Sequence, residues 1–136
     1  MPPEQHQPQR VTVVNDNPEF LTLMGDLLKE ERYAVTLVDG DRDDAVSLIE
    51  ASQPQALIID LRLGRAELHG WEVLRELRSD PALSELPTLI CTGDLRGLEV
   101  VADQLAGMRR VSTLKKPFDI EELFTKLDAL LEREPA

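Results

Sequence analysis

The chain has 136 residues and a formal net charge of −11. That is the length of one ordinary domain with a single core, and the acidity argues against a general nucleic-acid-binding surface, which must set Lys and Arg against phosphates. Hydrophobic residues make up 42% and charged residues 30%, as in soluble globular proteins, and no apolar run approaches the roughly 20 residues of a membrane span. A lone cysteine, Cys91, excludes an internal disulfide framework and a cluster of thiolate ligands. It lies in the apolar run LPTLICTGD and reads as a buried strand residue. The start, MPPEQHQPQR, lacks the basic and apolar blocks of a secretory signal. Residues 1–9 are therefore expected to be a frayed tail, residues 10–134 the folded domain, and the compartment the cytoplasm.

Short β-branched runs alternate with longer amphipathic ones. VTVV at 11–14 is predicted as the first strand, and Pro18 opens a helix through FLTLMGDLLKEE, whose Phe20, Leu23, Met24, Leu27 and Leu28 share a face. AVTLV at 34–38 is the second strand, followed by a helix over DRDDAVSLIEAS with Asp41 as its N-cap. ALIID at 56–60 is continuous and β-branched, which suits a central parallel strand covered on both faces. After a loop come a helix over WEVLRELRSD at 71–80, with Trp71 packed at its start, a strand PTLICT at 87–92 and a helix DLRGLEVVADQLA at 94–106, slightly weakened by Gly97. VSTLKK at 111–116 and DIEELFTKLDALLERE at 119–134, capped by Asp119, complete five strand–helix repeats. Such alternation implies right-handed crossovers and a parallel sheet between two helical layers, with no second domain in these residues.

In open sheets of this kind ligands bind beyond the carboxyl ends of the strands. The residues there are Asn15 and Asp16, then Asp60, then Thr92 and Gly93, then Lys116 before Pro117. The first strand carries no GxGxxG, so a dinucleotide site is not supported. Carboxylates at adjacent strand ends make a hard oxygen site suited to Mg²⁺, and an Asp beside such a cation is a nucleophile able to form an acyl phosphate. Thr92 can donate to a phosphoryl oxygen and Lys116 can pair with the same group. Singly, each of these residues is an ordinary turn or solvated residue; in this order at successive strand ends they outweigh that reading.

The motifs VVNDNP, LIID, HGWEVLRELR, LICTG and LKKPF, spread from about residue 10 to residue 132, resemble the receiver domain of two-component response regulators. The resemblance implies a five-stranded doubly wound, flavodoxin-like α/β fold with strand order 2-1-3-4-5 and five helices. It implies Asp60 as phosphoacceptor, Asp16 as the acid on Mg²⁺, and Arg62 as the residue whose backbone carbonyl completes the metal site. Thr92 would sense the phosphoryl group and Lys116 would be its counter-charge; alternation lets only one of the adjacent lysines face the site, and adjacency to Pro117 selects Lys116. The resemblance also implies a cis Lys116–Pro117 bond.

Four departures from the family pattern stand out. Asn15 replaces the first of the usual two acids, so it is expected to contribute only weakly or through a metal-bound water, with weaker Mg²⁺ affinity and slower phosphorylation. The segment after Asp60, LRLGRAELHG, is about two residues longer than usual, a change that surface loops tolerate. Its Arg62 and Arg65 read as solvated; a sharper alternative has Arg62 leaning over the acids, and another has Glu67 returning the missing carboxylate. Thr113 stands where the family commonly has an aromatic ring that changes rotamer, which removes that readout. GMRRVST is also longer than usual, with Arg109 and Arg110 expected to cover an edge. His6 in the tail and His69 in the loop are expected to be solvated.

The leading expectation is a stand-alone receiver, a signalling module more than an enzyme. It would take phosphate from a histidine kinase or phosphotransfer protein and switch a face that binds an unidentified downstream protein, without direct contact to nucleic acid or membrane. A homodimer is compatible with it. The rival is a phosphorylation-independent module that keeps the fold and binds partners regardless of phosphate. A flavodoxin-like cofactor binder is the weakest reading, since neither a phosphate-cradling loop nor an aromatic stacking pair is visible.

Overall fold

The computed structural model describes residues 7–63 and 68–131. Five strands, β1 (Arg10–Asn15), β2 (Ala34–Asp39), β3 (Ala56–Ile59), β4 (Thr88–Thr92) and β5 (Val111–Lys115), form one sheet in the order β2-β1-β3-β4-β5. All pairings are parallel, so the sheet is the doubly wound flavodoxin-like arrangement expected from the sequence. Helices α1 (Pro18–Glu30), α2 (Ala45–Ala51), α3 (His69–Arg78), α4 (Leu95–Ala106) and α5 (Ile120–Leu131) connect the strands or follow the last, with a short 3-10 turn at Pro81–Leu83.

The period-2 alternation of the strands divides the core in two. Val11, Val13, Ile58, Leu89, Cys91 and Leu114 point to Met24 and Leu28 of α1 and Leu123 and Leu127 of α5. Val14, Leu57, Ile59 and Ile90 point instead to α2, α3 and α4, where Ile49, Trp71, Leu74 and Val101 lie. Both faces of β3 are covered, which is why ALII reads as an unbroken apolar run. Burial pushes the Cys91 thiol up to about 12, so it is a neutral packing residue. No described helix is long and apolar enough to cross a membrane.

Three local expectations change. Leu23 is 54% exposed and does not join the apolar face of α1, whose buried residues are Met24, Gly25 and Leu28. Asp41 does not cap α2: Asp39 captures the Asp41 N–H at 3.0 Å, Arg42 pairs with Asp44 at 2.8 Å, and the helix starts only at Ala45. His69 is the first residue of α3 rather than part of a loop, half-buried with Nδ1 3.8 Å from Glu72. At the tail boundary, the Gln9 carbonyl accepts from the Ala34 N–H at 2.9 Å and continues the ladder. His6, Arg65 and Glu67 lie outside the described residues.

At the end of the sheet opposite the site, Arg78 from α3 acts as a clamp. Its guanidinium donates to the carbonyls of Ser84, Leu86 and Arg109 at 3.0, 2.6 and 3.0 Å, tying the entries of β4 and β5 to the end of α3. Burial lowers its pKa, with Glu85 pulling the other way. Arg110 makes a second tie, donating to the Leu130 carbonyl near the end of α5 at 3.0 Å. Arg78→Ala is expected to cost about 2 kcal/mol in urea unfolding, because three carbonyls lose a charged donor, and Arg78→Lys should recover only part, because an ammonium lacks the planar fork.

Candidate functional site

The carboxyl ends of β4 and β5 bring two side chains onto one carboxylate at the end of β3. Asp60 follows the last residue of β3 and is 13% exposed. Its Oδ1 accepts the Thr92 hydroxyl at 2.6 Å and the Arg62 N–H at 3.1 Å, and its Oδ2 accepts from Lys116 Nζ at 2.9 Å. Thr92 is the last residue of β4, and Lys116 immediately follows β5. The expected Asp60, Thr92 and Lys116 are therefore one hydrogen-bonded cluster, drawn from three strands of which β3 and β5 are not neighbours in the sheet.

Backbone geometry sets the aim of each group. The Lys116 N–H donates to the Thr92 carbonyl at 2.9 Å, and the Lys116–Pro117 bond is cis as expected. Alternation buries Leu114, exposes Lys115 and turns Lys116 into the site. The Thr92 Oγ1 also accepts the Asp94 N–H at 3.1 Å, while Asp94 Oδ1 caps α4 through the Gly97 N–H at 2.9 Å. Gly97, expected to weaken the interior of that helix, sits in its first turn, where a Cβ would lie 2.4 Å from Asp94 Oδ2. Gly70 of α3 is tighter: its N–H donates to the Leu61 carbonyl at 2.8 Å, and a Cβ there would lie 1.8 Å from the Asp60 carbonyl oxygen.

At the end of β1, Asn15 is 2% exposed and its Oδ1 accepts the Asn17 N–H at 2.9 Å. Asn17 in turn caps α1 through the N–H groups of Glu19 and Phe20 at 2.9 and 3.3 Å. Asp16 is exposed at the rim. The Arg62 side chain is exposed, and what reaches Asp60 is its N–H rather than its guanidinium. The Lys116 ammonium also lies 4.3 Å from the centre of the Phe20 ring. The helical pattern placed Phe20 on the core face of α1, and only its position four residues after Asp16 hinted at the rim. Trp71 packs as expected, with Nε1 donating to Gln104 of α4 at 3.2 Å.

A doubly wound parallel sheet with an Asp, a Thr and a Lys meeting at the ends of its third, fourth and fifth strands is the architecture of a two-component receiver. The chain belongs to the response regulator receiver domain family, whose sequence profile matches residues 11–128. It is 32% identical over 129 residues to the probable transcriptional regulatory protein TcrX of Mycobacterium tuberculosis, covering 93% of this chain and 51% of that protein. It is 34% identical over 128 residues to the response regulator MprA of Mycolicibacterium vanbaalenii, covering 93% and 52%. The chain thus spans about half the length of the curated relatives it matches. Among solved structures it resembles the receiver domain of the sensor histidine kinase PA1611 of Pseudomonas aeruginosa PAO1, with a TM-score of 0.76, 31% identity and coverage of 92% and 98%. That structure holds a magnesium ion coordinated in its active site cleft.

The two glycines give contrasting expectations. Gly70→Ala meets backbone and should cost about 3 kcal/mol or displace Asp60, whereas Gly97→Ala meets a side chain that can rotate and should cost about 1 kcal/mol, the worth of a lost cap. Urea denaturation of both variants checks the ranking.

Proposed function

We propose that the chain accepts a phosphoryl group on Asp60 from a phosphorylated histidine of a kinase or phosphotransfer protein, and that the modification changes which protein surfaces it binds. The observation that carries this reading is that Thr92 and Lys116 both reach the same carboxylate. A carboxylate oxygen of Asp60 attacks phosphorus as the bond from phosphorus to the donor imidazole breaks, and the imidazole departs with that electron pair. The Lys116 ammonium and the Thr92 hydroxyl then exchange the carboxylate for phosphoryl oxygens, so that their charge and donor capacity follow the negative charge as it moves outward.

Mg²⁺ fits the donors present. The carboxylates of Asp60 and Asp16 and the backbone carbonyl of Arg62 are hard oxygens, and among the described residues no group of three His, Cys, Asp or Glu converges. A site of two carboxylates, one carbonyl and waters is what this ion accepts. When bound, it would neutralise charge on the incoming phosphoryl group. Asn15 would contribute weakly or through a water, its oxygen already accepting the Asn17 N–H.

The alternative, a phosphate-independent interaction module, is favoured by the neutral Asn15 and by Thr113, a ringless residue of β5 whose carbonyl accepts from Lys126 of α5. Intact-mass measurement after incubation with acetyl phosphate and Mg²⁺ separates the two. A phosphate adduct absent from Asp60→Ala is expected, and no adduct on the unmodified chain would favour the alternative. Asn15→Asp should tighten Mg²⁺ binding by about tenfold, since affinity follows ligand charge; calorimetric titration checks it.

A further inference from the structure

We propose that Phe20 is a positioning residue for Lys116, its ring holding the ammonium in line with Asp60; this rests on the phosphoacceptor reading of Asp60. The ammonium lies between two groups from distant parts of the chain: Asp60 Oδ2 at 2.9 Å and the Phe20 ring, its centre at 4.3 Å. Lysine carries a flexible stem with many rotamers, and one carboxylate contact does not fix it. A ring at cation–π distance supplies a second contact, and it covers a side of the ammonium that water would otherwise solvate. The Lys116 side chain is only 28% exposed although it ends in a charge.

The placement of the ring is built into the turn that follows β1. Pro18 is the first residue of α1, and Asn17 caps the Glu19 and Phe20 N–H groups, so the backbone of Phe20 is pinned in the first helical turn. Helical side chains lean toward the helix N-terminus, which here is the rim where β1 ends. The half-buried ring lies partly on the core of α1 and α5 and partly under Lys116. Leucine would fill the same core space but offer no negative face to a cation.

The proposal therefore separates packing from positioning. In Phe20→Leu the phosphorylation rate with acetyl phosphate should fall roughly 3- to 30-fold, which at 1.36 kcal/mol per decade is about 0.65 to 2 kcal/mol. Phe20→Tyr should restore it, and the thermal midpoints of the two variants should not track the rates. Nuclear magnetic resonance gives an independent readout. The Lys116 ε-methylene protons should be shielded by the ring in the unmodified chain, and the Lys116 ammonium signal, visible only when solvent exchange is slow, should persist in Phe20→Tyr and vanish in Phe20→Leu. An unshielded ε-methylene, or a Phe20→Leu variant with both the rate and the ammonium signal intact, overturns the proposal. If the unmodified chain takes up no phosphate, the phosphoacceptor reading fails on its own; the resonance arm then still supports or overturns the positioning of Lys116.

Discussion

The arrangement depends on one electrostatic requirement: a carboxylate at the end of a buried central strand needs a counter-charge. Asp60 is 13% exposed, and Lys116 meets it at 2.9 Å from 56 residues further along the chain. Leaving one member of such a pair alone is costly in proportion to burial, so the two strand ends are constrained together. The strand between them contributes Thr92, whose hydroxyl occupies the other carboxylate oxygen. The order β3-β4-β5 at one edge of the sheet is thus both a packing solution and the condition for the cluster to exist.

Around this cluster the backbone leaves little freedom. Gly70 passes so close to the Asp60 carbonyl that no side chain fits, and the Lys116 N–H bonds the Thr92 carbonyl. Thr92 also accepts the N–H of Asp94, the residue that caps α4. A hydroxyl shared between Asp60 and the start of a helix links the state of the carboxylate to α4 without any aromatic residue at Thr113. In the proposed reaction this link is a hydrogen-bonded route from the site to the start of α4.

The fold was legible because its signals are local. Strand and helix periods, the unbroken ALII and the polar residues at each strand end are properties of a few neighbouring residues. The choice of Lys116 over Lys115 followed from alternation and the adjoining proline, and its ammonium does reach Asp60. Misreadings arose where a side chain had two local options. Asp41 had the chemistry of a cap, yet Asp39 took its N–H into a turn. Leu23 was read onto the same helical face as Met24, but the buried residues of α1 are Met24, Gly25 and Leu28, and Leu23 is left exposed.

The sequence by itself determined the order of elements, the parallel doubly wound class and which residues stand where each strand ends, because periodicity and turn chemistry act over a few residues. Only the tertiary structure decided that Asp60, Thr92 and Lys116 share hydrogen bonds and that Phe20 lies against the ammonium instead of merely filling the core. The Asp60–Thr92 and Asp60–Lys116 contacts join residues 32 and 56 positions apart, and Phe20 and Lys116 lie further apart still. They depend on how crossovers and helices pack, which no local pattern encodes.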